Sequence, residues 1–188
     1  LYSALRRLGW GLVVQIIDFN LFFFDLLPDF IGYIMMASAL HQLSSEHSIF
    51  KRAKWTAIAM IFLSLPSVAM KTNITNSDFS SIPLSLHLYS QAMMALHVLL
   101  AFWVFNGLYA LAQQAGHSVL LDSIHIRRNL YLLIFITQLI FYPFLLNVDD
   151  SWMMLLIVFG ILALIMEFLF LRLPFRLSKI ISRSPLET

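Results

Sequence analysis

The sequence contains no cysteine, which excludes disulfides, thiolate-ligated metals and cysteine nucleophiles while leaving the compartment open. Charge is also scarce: Asp, Glu, Lys and Arg make up 12% of the 188 residues, where an ordinary soluble domain has about 25%. The familiar signatures of catalysis and nucleotide binding are missing: no Gly-rich phosphate loop, no G-x-S-x-G, no H-E-x-x-H and no serine–lysine pair in a catalytic context. No segment carries the regularly spaced arginines of a voltage sensor, and there is no G-x-x-x-G dimerisation motif. An enzyme therefore has no constellation to rest on, and no cofactor and no metal site are expected.

What is present is apolar. Hydrophobic residues make up 60% of the chain and the mean hydropathy is +0.83. Too little polar surface is left to cover such a chain in water, so lipid must serve as solvent. Six apolar stretches, 8–27, 28–43, 55–70, 84–113, 129–148 and 152–173, are expected to be the transmembrane helices of one all-α domain spanning 1–188. A helix rises about 1.5 Å per residue and the hydrocarbon core is about 30 Å thick, so about 20 residues cross it. The first stretch lacks a small-residue cleavage site and is expected to be a membrane helix rather than a signal peptide.

Charge position gives the topology. With six crossings and a cytoplasmic N-terminus, eleven of the twelve Lys and Arg fall inside, Lys71 being the exception. Asp25, Asp29, Asp78, Asp149 and Asp150 fall outside. This Lys/Arg bias predicts that both termini are cytoplasmic, and it accounts for a pI near 9.1 without a nucleic-acid partner. Residues 8–43 admit two arrangements. As one helix they would be about 54 Å long, too long for a single crossing, and basic residues at both ends put both ends on one side. Two crossings are expected; a re-entrant hairpin, leaving four crossings, is the alternative. The longest outer loop, 71–83, contains the sequon Asn73-Ile74-Thr75, which matters only in a eukaryotic secretory pathway.

Ionisable groups at membrane depth are the candidates for function. Asp18 lies halfway through the first stretch, on a helical stripe with Arg7, Gly11, Gln15, Phe22 and Asp25. It reads either as a proton or cation site or as a hydrogen-bonding group that joins helices. Glu167 shares a face of the last helix with Gly160 and Ala163, small residues that suggest close helix contact, and Arg172 is poorly placed to pair with it. Asn106 is expected at a similar depth. His97 and Gln138 lie near the middles of the fourth and fifth stretches and by depth can meet Asp18, a grouping able to carry a proton or to stand as satisfied core polarity. His41, His47, His117 and His125 fall on the cytoplasmic side without metal-ligand spacing and read as solvated.

The run Asp25-Leu26-Leu27-Pro28-Asp29-Phe30-Ile31-Gly32-Tyr33 resembles a D-[IL]-L-P-D-F-I-G-Y signature of small, uncharacterised polytopic membrane proteins of Gram-positive bacteria. The resemblance covers the first hairpin, about a fifth of the chain. It implies a bacterial cytoplasmic membrane and carries no activity, cofactor or catalytic residue. Pro28 suits the first turn of a helix and Asp29 its positive end. The tip reads as a rigid structural cap or as a binding site for a partner or cation.

Three classes of function remain: a small transporter or transport-complex subunit using intramembrane carboxylates, a non-catalytic accessory or immunity-type protein bound to another membrane protein, and an intramembrane enzyme. Besides the lipid bilayer, another membrane protein is the one macromolecular partner these classes imply. The discriminating observation is whether Asp18, Glu167, His97 and Gln138 face one cavity.

Overall fold

The computed structural model describes residues 1–20, 29–70, 83–145 and 153–183. Among them there are six α-helices and no strand: α1 (Tyr2–Asn20), α2 (Asp29–Leu43), α3 (Ile49–Met70), α4 (Leu84–Gln114), α5 (Ser118–Leu145) and α6 (Met153–Arg183). Each helix packs on its sequence neighbours, and α6 returns to pack on α1, so the six close into a ring. Among the described residues two helices are long and apolar enough to cross a membrane, Leu84–Gln114 and Ile157–Ser182, and Phe30–Leu43 is a shorter apolar helix.

Several helices outrun the apolar stretches. α1 begins at Tyr2, α3 at Ile49 and α5 at Ser118, while α6 continues to Arg183. Hydropathy measures where lipid is favourable, whereas backbone hydrogen bonding continues into the polar ends. Those ends carry Arg6, Arg7, Lys51, Arg52, Arg127, Arg128, Arg176 and Lys179.

The tightest packing is gathered at one end of the ring. Leu5, Leu8 and Leu12 of α1 are buried with Met36, Leu40 and Leu43 of α2 and Phe50, Ala53 and Ala57 of α3. Val104, Phe105 and Leu108 of α4, Leu120 and Ile124 of α5, and Phe170, Leu173 and Leu177 of α6 complete this core. These are the first halves of α1, α3 and α5 and the second halves of α2, α4 and α6, as an up-and-down ring requires. Two close approaches tighten it: a Cβ on Gly107 would overlap the buried Phe50 ring, and one on Gly9 would lie 2.7 Å from the ring of Phe175.

The turn from α4 to α5 lies at this same end. Gly116 takes φ +70°, a conformation that glycine alone adopts without a Cβ penalty. The Gly116 N–H then donates to the carbonyl of Gln113 and the His117 N–H to that of Ala112, the paired bonds of a Schellman motif. The carbonyl of His117 in turn accepts from Leu120 and Leu121 and opens α5.

Candidate functional site

The site begins at the crossing of α1 and α2. Gly11 and Gly32 face each other so closely that a Cβ on Gly32 would lie 3.2 Å from the carbonyl oxygen of Gly11, and one on Gly11 would lie 2.7 Å from Met36. The stripe Arg7–Gly11–Gln15 runs along this seam: Arg7 Nη1 donates to Ser38 Oγ at 3.1 Å and Gln15 Nε2 to the Tyr33 hydroxyl at 3.4 Å. With the backbones this near, Gln15 is carried into the interior of the ring.

There Gln15 Nε2 lies 2.8 Å from Nδ1 of His97 on α4, the helix across the ring. An amide N–H can only donate, so this bond makes Nδ1 the acceptor and puts the ring proton on Nε2. Nε2 lies 2.7 Å from Oε1 of Glu167 on α6 and 2.6 Å from the hydroxyl of Tyr131 on α5. The Tyr131 hydroxyl donates to the same Glu167 oxygen at 2.6 Å. His97 and Glu167 are both mostly buried, their side chains 12% and 14% exposed.

Below this centre the support is aromatic. Tyr131 is fully buried, stacked on Phe135 at 4.3 Å and edge-on to Phe105 and Phe170 at 5.5 Å each. Phe105 stacks on Phe170 at 4.4 Å. Offset and edge-to-face pairs of this kind fix ring positions as well as burying area, so the Tyr131 hydroxyl is held in place by its neighbours.

The polar centre borders a cavity of about 380 Å³ lined by Gln15, Ile16, Tyr33, Tyr89, Ser90, Met93, Met94, His97, Phe135, Gln138, Ala163, Leu164 and Glu167. These residues come from five helices and lie beyond the packed core, toward the end where α1, α3 and α5 finish. Among the described residues, buried Oε1 atoms of Gln15 and Gln138 have no hydrogen-bond partner. The hydrogen bonds of Glu167 are all made through Oε1, leaving Oε2 without one there.

Glu167, His97 and Gln138 thus line one cavity. The side chain of Asp18 lies outside the described residues, and Gln15, within a turn of it on α1, meets His97. Asn106 is not in the cluster: its Oδ1 accepts from Arg128 Nη1 at 2.6 Å, near the basic end of the ring. Next to it Arg127 donates to the Leu169 carbonyl at 2.9 Å, in the stretch of α6 just before Pro174. Burial, with Arg176 and Arg172 nearby, lowers the pKa of the Arg127 guanidinium from its ordinary value. Close helix contact was expected on both small residues of the Glu167 face; Ala163 is buried, but a Cβ on Gly160 would meet open space, so only Ala163 makes such contact. Gly160 is two turns from Glu167 along α6, beside Phe159, which stacks on Phe141 of α5 at 6.4 Å.

Of the hairpin signature, Asp25 and Pro28 lie outside the described residues. Asp29 opens α2, Gly32 forms the close crossing and Tyr33 lines the cavity. His41 and His125 are exposed, and His47 and His117 partly so; no three His, Cys, Asp or Glu gather as metal ligands among the described residues. Two contacts went unread in the sequence. Tyr131 shares a face with Phe135 and Gln138 at spacings of four and three, which was a legible signal. His87 is buried, with Nδ1 2.8 Å from the Tyr142 hydroxyl, and nothing in the sequence pairs them.

Compared with known proteins, the chain matches no family model, no curated protein and no solved structure.

Proposed function

We propose that the chain is an integral protein of the bacterial cytoplasmic membrane, crossing six times with both termini inside, and that it is a small transporter or a subunit of a transport complex. Glu167 and His97 are its proton- or cation-exchanging pair. The observation that carries this reading is that Glu167, His97 and Gln138, from three helices, converge on one cavity.

The exterior supports the membrane part. Ile157, Ile161, Ile165 and Phe168 of α6 and Leu133, Ile136, Ile140 and Phe144 of α5 are exposed. Only 22% of the most apolar window of α6 is buried, unlike the core helix of a water-soluble protein. Trp10 and Trp55 are exposed toward the basic end, Arg52 lies 4.9 Å from the ring of Trp103, and Lys54 lies 5.1 Å from that of Trp55. Tryptophan beside Arg and Lys is the usual composition of a membrane interface. The resemblance of the hairpin signature supports the same location.

The chemistry follows from the bonding. A proton taken up at Nδ1 makes His97 an imidazolium that neutralises Glu167, and the Gln15 amide can turn its oxygen to accept the new N–H. Release of that proton leaves a carboxylate facing the cavity for a cation. Among the described residues, Tyr131 and Tyr33 also carry titratable hydroxyls at this centre.

The test is a liposome assay. Purified protein is reconstituted with an internal pH dye and an imposed pH gradient, and inorganic and organic cations are added outside. Collapse of the gradient by a cation in the native protein, lost in Glu167→Gln, is the expected result. If no added cation moves the gradient with folded protein, transport is refuted and the accessory reading takes its place.

A further inference from the structure

The hydrogen bonds around the cavity are unevenly spent. Three donor groups of the polar centre are engaged: Gln15 Nε2 by His97 and Tyr33, the His97 Nε2–H by Glu167, and the Tyr131 hydroxyl by Glu167. Among the described residues the buried side-chain atoms left without a partner are both acceptors, Gln15 Oε1 and Gln138 Oε1, and Glu167 bonds through Oε1 alone, leaving Oε2 as a third acceptor. A buried acceptor without a donor costs about 1–3 kcal/mol, so a ligand that brings N–H groups is favoured over one that brings oxygens.

The remaining wall is apolar and polarizable, with Met93, Met94, Phe135 and Leu164. A volume of about 380 Å³ lies in the range of organic-ligand sites, about 300–1,000 Å³. Calcium would take about six to eight oxygens, more than the three on offer, and an anion would meet the Glu167 carboxylate. We infer that the cavity binds a lipophilic primary ammonium ion, with its N–H donors on Glu167 and the two glutamine oxygens and its apolar body among Met93, Met94 and Phe135. The inference rests on the transport reading, whose cation it names, and adds to it that N–H groups rather than charge alone select the ligand.

The experiment is titration calorimetry of the purified full chain in lipid nanodiscs with three probes of one skeleton: 2-phenylethylammonium, its N-trimethylated analogue and 2-phenylethanol. The primary ammonium should bind at one per chain, and the other two about ten-fold or more weakly, since each lacks the donors or the charge. Gln138→Met, which keeps the length and removes one oxygen, should weaken the ammonium about ten-fold without lowering the melting temperature. Glu167→Gln should weaken it at least as much. Equal affinity for all three probes, affinity unchanged in Gln138→Met, or no binding of the ammonium overturns the inference. The same protein in the liposome assay separates the two readings. Glu167-dependent ammonium binding without any flux would overturn transport and leave the ligand class standing. Proton-coupled flux of another cation without ammonium binding would do the reverse.

Discussion

His97 and Glu167 meet at 2.7 Å although they belong to α4 and α6, which are not neighbours in the ring and touch only sparsely elsewhere. Gln15, from the opposite side, completes a polar bridge across the interior. A packing device between adjacent helices would sit in a seam; this one spans the middle, beside a cavity, and three of its acceptors face no donor among the described residues. That placement is what supports the proposed exchange site over a fastening.

The bridge still contributes to stability, and its chemistry predicts how much. In Glu167→Gln the amide oxygen can accept from both His97 and Tyr131, so the variant should fold with a loss below about 1 kcal/mol. Glu167→Leu removes the acceptor altogether. His97 and Tyr131 can then satisfy only one another, and the loss should reach about 1–3 kcal/mol. Melting in detergent, followed by circular dichroism, separates the two; a Leu variant as stable as the Gln variant would show that the bonds carry no weight.

Tyr131 combines two contributions that substitution can divide. Tyr131→Phe deletes one donor to Glu167 and leaves the stack on Phe135 intact, an expected cost of about 1–2 kcal/mol. Tyr131→Ala also empties the space between Phe105, Phe135 and Phe170, and should cost about 3–5 kcal/mol. The expected order is native, Phe, then Ala in unfolding experiments. In the liposome assay, Phe should change the pH dependence of flux, because the hydroxyl is bonded to both members of the proposed exchanging pair.

Much of this was legible in the sequence, and the limits have physical causes. Apolar runs gave six helices because apolar surface is written in composition, but they missed the ends of α3 and α5, where helix continues into polar residues. Depth along each helix singled out His97, Glu167 and Gln138. Depth says nothing of rotation, so it could not tell that Asn106 turns to Arg128 while Glu167 turns to His97. Gln15 lies on the predicted stripe, but a neutral amide lacks the desolvation cost that marks Asp18 as a candidate. What brought it to the centre is the approach of Gly11 to Gly32, a backbone distance between two helices that no single-helix pattern encodes. The role of Gly32 and Tyr33 within the signature appears only once that crossing is seen.

Two glycines give opposite expectations. Gly107 lies against the ring of Phe50, which is fully buried and has nowhere to turn. Gly107→Ala should therefore destabilise the α3–α4 contact by about 1–3 kcal/mol. Gly160 faces open space on α6, and Gly160→Ala should stabilise by up to about 1 kcal/mol through helix propensity alone. Measuring both in one detergent removes the contribution of the solvent, and equal shifts would contradict the packing described for α3 and α4.

The hairpin can be tested directly because the chain has no cysteine of its own. Ser45→Cys, between α2 and α3, and His117→Cys, between α4 and α5, should react with a membrane-impermeant maleimide only after the cells are opened. Asn76→Cys should react in intact cells. Leu27→Cys decides the remaining arrangement. α2 has 15 residues, about 22 Å of helix, short of a hydrocarbon core about 30 Å thick. Labelling of Leu27→Cys in intact cells establishes that the tip reaches the outer surface and that the ring crosses six times. Protection of Leu27→Cys in intact cells, with Asn76→Cys labelled, would make the first two helices re-entrant. Tyr33 and Gln15 would then be lining a cavity that ends inside the membrane, and an exchange site there would need its outer access from α4, α5 and α6 alone.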